Sequence, residues 1–94
     1  TMAYRARDGD EEFVVLAGTE QERYSSVETL TFGAGGAVFA YVAADEGRAF
    51  VVVGNKPLES HDEVGPLAFS RTGDSLAYLA RDGLQLELVV TDLR

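Results

Sequence analysis

Ninety-four residues suffice for one domain, and 16 Asp plus Glu against 8 Lys plus Arg leave a formal charge of −8 with a single histidine, His61. That balance excludes the basic stripe a nucleic-acid surface needs and disfavours an anionic membrane, while the absence of cysteine excludes disulfides, thiolate metal sites and a cysteine nucleophile. Hydrophobic residues make up 46% of the chain, enough for a packed core, yet no apolar run approaches the roughly 20 residues of a membrane span and no leader-like pattern opens it; a soluble segment is expected, periplasmic or cytoplasmic.

In chain order, residues 2–6 read as a strand, 7–10 as a polar Arg-Asp-Gly-Asp turn and 13–16 as a second strand. Asp-Gly between apolar runs is a strong hairpin signal. Residues 17–26 are polar, with room for a connection and at most one short outer strand; Thr19 to Glu22 has the outline of a helix capping box, but no apolar stripe follows, so one helical turn is the most it supports. A strand over 27–32 ends in Phe32 before the glycine-rich turn 33–36, and strands over 38–43 and 50–53 flank the turn 44–47. After the polar stretch 54–63 the same order returns: strand 64–69, turn 70–73, strand 76–80, turn 81–83 and strand 86–90. The second and third strands of each group are almost continuously apolar, which predicts sheets covered on both faces.

The return is a repeat of period 37. Ala3-Tyr4 recurs as Ala40-Tyr41 and Ala77-Tyr78, Asp8 as Asp45 and Asp82, and Val15 as Val52 and Val89. The same offset carries Phe13 to Phe50, Val27 to Val64, Leu30 to Leu67, Phe32 to Phe69 and Gly36 to Gly73. Matches at one spacing over the full length indicate duplication. A unit of three or four strands covered by its neighbours fits a propeller blade better than a sandwich or solenoid. The expected fold is all-β, with antiparallel propeller-type blades and little or no helix, in a single segment 1–94 made of a partial blade 1–26, a blade 27–63 and a partial blade 64–94. The register predicts a buried core of Tyr4, Phe32, Tyr41, Val52, Phe69, Tyr78 and Val89. Pro66 lacks an N–H for a ladder, so its strand belongs at a sheet edge.

Residues 67–83, with Phe69-Ser70 before Gly73, Ala77-Tyr78 ending a strand and the turn Asp82-Gly83, resemble the WD-repeat-like blades of TolB-type propellers. The copy from Phe32 to Tyr41 departs from that pattern, with Gly33 in place of the usual Ser and no Asp before Gly36. The resemblance implies a fold and is uninformative about activity, since such blades serve both as scaffolds and as the non-catalytic part of prolyl-oligopeptidase-like peptidases.

His61-Asp62-Glu63 is the one place where an imidazole meets carboxylates, which makes His61 and Asp62 candidates for a metal or a general base. A structural role is favoured, because one histidine and one adjacent pair fall short of three protein ligands, and the resemblance implies a hydrogen-bonded His before the innermost strand. Its counterpart one period earlier is Tyr24. Asp8, Asp10 and Glu12, with Glu11, form the densest acidic cluster and offer oxygens for calcium, although the repeat places Asp8 in a hairpin turn and a solvated turn is favoured. A Ser70, His61, Asp62 hydrolytic set is weaker still, because Ser70 belongs to a turn motif. The expected function is therefore a non-enzymatic scaffold or protein-interaction module, with a peptidase's propeller segment and a calcium or small-ligand binder as alternatives. No catalytic residue, metal or cofactor is assigned. About 2.5 copies of the period fit in 94 residues, against 4–8 blades in a closed propeller; a piece of a longer propeller is expected, covered by protein partners or by its own copies.

Overall fold

The computed structural model describes residues 3–33, 38–54 and 56–93. Ten strands follow one another: β1 (Ala3–Asp8), β2 (Glu11–Leu16), β3 (Thr19–Glu20), β4 (Ser26–Gly33), β5 (Val38–Asp45), β6 (Arg48–Val53), β7 (Lys56–Pro57), β8 (Glu63–Phe69), β9 (Ser75–Asp82) and β10 (Gln85–Asp92). No described residue is helical. Thr19 and Glu20, the start of the outlined capping box, lie in β3 instead. Without an apolar stripe to bury, a helix there has nothing to stabilise it.

All pairings are antiparallel and join sequential neighbours, giving a first sheet β1-β2-β3, a middle sheet β4-β5-β6-β7 and a last sheet β8-β9-β10. The hairpins are tight because their corners take positive φ. Asp45 pairs with Arg48 across a two-residue turn in which Glu46 has φ 50° and Gly47 φ 77°, the backbone that matches the strands' right-handed twist. The edge strands β4 and β8 each carry a register irregularity, between Glu28 and Thr31 and between Val64 and Leu67, within one residue of the same place in the repeat. Pro66 falls in the second, on a strand that is the edge of its sheet. Of the turn expected at 33–36, Gly33 is the last residue of β4 and the rest lies outside the described residues, as does Met2.

The three sheets stack face to face. Val14 from the first sheet meets Val27, Phe39, Tyr41, Ala43 and Val52 of the middle sheet, with Tyr24 between them. The opposite face of the middle sheet, through Ala40 and Val51, meets Leu76, Tyr78 and Ala80 of the last. This alternation explains the apolar runs of β5 and β6, whose side chains serve one core or the other. Main-chain pairs link each sheet to the next: Glu12 exchanges both backbone bonds with Tyr24 (2.7 and 2.9 Å), and Ala49 does so with His61 (2.7 and 2.8 Å). The two bridges are one period apart.

Of the expected core, Tyr41, Val52 and Tyr78 are buried, and Phe69 and Val89 pack partly buried against the second cluster. Tyr4 and Phe32 are corrections. Tyr4 is 54% exposed, because it lies on the outer face of the first sheet, where no sheet stands opposite. Phe32 is 39% exposed on the edge strand of the middle sheet; among the described residues the first sheet has no strand before β1 to cover it, so it rests on Phe39 at 4.7 Å between ring centroids. Coverage on both faces also fails for the last sheet. Leu79, Leu86, Leu88 and Val90 are all exposed.

Candidate functional site

The densest polar constellation lies where the middle and last sheets meet. His61, on the connection between β7 and β8, is anchored by its main chain to Ala49 at the start of β6, and its imidazole is buried. Nδ1 lies 2.7 Å from Oδ2 of Asp82 at the end of β9, while Oδ1 of Asp82 accepts the Asp62 N–H at 3.1 Å. Asp62 in turn accepts the Gly83 N–H at 2.7 Å and the Arg48 guanidinium at 2.7 Å, and Arg48 also donates to the Ser60 carbonyl. Arg81 pairs with Glu63 beside it. The hydrogen bond from His61, then the Asp62 N–H, hold the Asp82 carboxyl below its ordinary range. Below the imidazole a cleft of about 490 Å³ opens between Leu58, Glu59, Tyr78, Glu87, Val89 and Thr91.

His61, Asp82 and Glu87 bring one imidazole and two carboxylates to within 4.8 Å of one another. Such a trio has ligand chemistry suited to a divalent cation. Its existing contacts favour a structural role instead, because both Asp82 oxygens already accept protein hydrogen bonds and Arg48 lies 3.5 Å from one of them. The set staples the strand β6 to the hairpin β9-β10 through the segment that carries His61. Asp82 and Glu87 are absent from the sequence-derived candidates, though a signal for Glu87 exists. The offset of 37 carries Tyr24 to His61 and Phe50 to Glu87, and Tyr24 and Phe50 touch edge to face at 5.2 Å. Both members of that contact change together from aromatic to ionisable.

The other candidates are dispersed. Asp8 accepts from Arg23 at 2.7 Å, Asp10 stands exposed in its turn, and Glu12 points inward, where it accepts the Val27 N–H at 2.9 Å and Arg7 at 2.6 Å. These bonds, the Val27 N–H first, hold the Glu12 carboxyl below its ordinary range. The acidic run therefore spreads over the end of β1, its turn and β2, and Asp8 and Glu12 turn to different partners. The Ser70 hydroxyl oxygen accepts the Ser75 N–H at 3.0 Å, and Ser70 lies at the far end of β8 from His61, the length of a seven-residue strand away. The hydrolytic set is thus not assembled. No family model, curated protein or solved structure matches the chain. No helix among the described residues is long and apolar enough to cross a membrane.

Proposed function

We propose that this chain is a β-propeller-type segment that acts as a non-enzymatic scaffold or protein-interaction module. The observation that carries the reading is the repetition of one junction. The middle sheet, of four strands, is covered on each side by a sheet built at the same 37-residue offset, through equivalent backbone bridges at Tyr24 and His61. Sheets stacked this way leave their turns and connections as loops to meet a partner and need no reacting group. The polar staple at His61 fits this reading, since its bonds hold adjacent sheets at a set angle. Electron microscopy of assembled particles, or of the parent protein, is the test. Rings with a central channel are expected; a flat two-layer sandwich would overturn the reading.

A further inference from the structure

The exposed face of the last sheet has an internal precedent. Leu79, Leu86, Leu88 and Val90 stand one period after Val42, Ala49, Val51 and Val53. In the middle sheet Val51 and Val53 belong to the core shared with the last sheet, and Val42 is buried beside Ala40. What closes that core is a face bearing Leu76, Tyr78, Ala80 and Val89. Two periods before the last three stand Tyr4, Ala6 and Val15, on the first sheet. Their neighbours Ala3, Val14 and Leu16 pack toward the middle sheet, so strand alternation turns Tyr4, Ala6, Phe13 and Val15 to the other face. There Tyr4 stands exposed, while Phe13 and Val15, each 7% exposed, are already covered within the chain. One end of the stack thus carries the face that is covered at each internal junction, and the other end carries the face that does the covering.

The geometry points to head-to-tail docking of the last sheet's outer face onto the first sheet's outer face in a second copy of this chain. Resting on the propeller reading, this names one partner and the surface that receives it. Leu88, 65% exposed, and its cross-strand neighbour Leu79 form the receiving floor. Tyr4, beside Val15, is the inserting ring, equivalent to Tyr41 and Tyr78, which are both buried at their junctions. Phe13 lies beneath the Arg23 guanidinium at 4.6 Å from the ring centroid, and that guanidinium is itself paired with Asp8, so the exposed apolar contact on this face is Tyr4. The contact is heterologous, so a docked pair keeps one unused face of each kind, and growth continues unless the rotation closes a ring. Copies of charge −8 repel one another, so added salt strengthens the association by screening.

Complementation between two single variants tests this. Leu88→Glu removes the receiving face and Tyr4→Glu the inserting one, both at exposed positions, with circular dichroism confirming that each variant folds. In sedimentation across a hundredfold dilution series, the unaltered chain should associate, and each variant alone should associate at least ~30-fold more weakly. An equimolar mixture should form a 1:1 dimer that grows no further, because one intact face of each kind remains. A monomeric unaltered chain at all concentrations overturns the docking while leaving a propeller of a longer chain intact. Loss of association in Leu88→Glu alone, with Tyr4→Glu behaving like the unaltered chain, overturns it in favour of a last-sheet-to-last-sheet contact. A complementing mixture upholds the docking whichever shape the assembly takes; open filaments of the unaltered chain would then count against the propeller reading alone.

Discussion

The two junctions between sheets use the same backbone and different chemistry. At the first, Tyr24 leans edge-on against Phe50, and Ser25 donates its hydroxyl to Asp45 at 2.8 Å. At the second, the equivalent positions hold His61 with Glu87 nearby, and Asp62, whose backbone N–H bonds Asp82. A further pair differs in the opposite sense. The buried Tyr78 hydroxyl finds Thr91, whereas the Tyr41 hydroxyl has no hydrogen-bond partner among the described residues, because the position equivalent to Thr91 is Gly54. Burial pushes the Tyr41 phenol up to about 12. Both junctions thus combine an apolar core with polar bonds: the first adds the Glu12 carboxyl on the Val27 N–H and leaves one donor orphaned, and the second gathers its bonds around His61, Asp62 and Asp82. The bridge between sheets therefore resides in the main chain, which leaves the side chains above it free to vary.

The largest effect should come from emptying the cores themselves. Tyr41→Ala and Tyr78→Ala each remove a buried ring and should destabilise by about 3–5 kcal/mol, a large part of the total for a domain this size. Urea unfolding reads both; a loss below about 1 kcal/mol at either would mean that its junction is not a packed core. Next is Gly33, at the end of the edge strand β4. A Cβ there would stand 2.5 Å from Cγ of Phe69, so Gly33→Ala should cost about 1–3 kcal/mol by overpacking. In a double-mutant cycle, most of that cost should disappear when Phe69 is also truncated.

These two positions show where sequence reading reaches its limit. Phe69 was legible as core from the period. Gly33 was legible only as a departure from the turn pattern, because the reason for a glycine there is a ring 36 residues away that packs against its backbone. Likewise Tyr4 and Phe32 obey the same period as buried Tyr41 and half-buried Phe69, and local pattern cannot say that the sheet or strand opposite them is missing.

Acid should separate the junctions next. Asp82 and Glu12 are both held below their ordinary carboxylate values. Their contributions are therefore whole above about pH 4–5 and lost as the pH falls through the lower folded values. Glu12→Gln should flatten the acid limb of stability through the first sheet. The exchange His61→Tyr with Glu87→Phe, which writes the first junction's chemistry into the second, should flatten the part due to Asp82. An unchanged limb in the exchanged protein would show that the His61 bond to Asp82 does not carry the second junction. The smallest effect tests the orphaned hydroxyl. Tyr41→Phe should be neutral or stabilising by up to ~1 kcal/mol, and Tyr78→Phe destabilising by about 1 kcal/mol, since only the latter breaks a bond. Thermal melts of the two variants side by side give the sign.

Local chemistry along the chain determined the strands, their hairpin turns, the edge position of Pro66 and the 37-residue period, because each depends on residues within one strand pair or on positions a fixed offset apart. Tertiary packing alone decided which faces are closed, since burial depends on the sheet opposite and not on the strand itself. It also assembled His61 with Asp82 and Glu87, which are 21 and 26 positions further along the chain, by bringing the end of one hairpin against the connection that precedes its sheet. The same packing turned Glu12 inward and Asp8 toward Arg23, dispersing an acidic run that is close only in sequence: the two residues stand on paired strands of one hairpin, at adjacent register positions whose side chains point to opposite faces of the sheet.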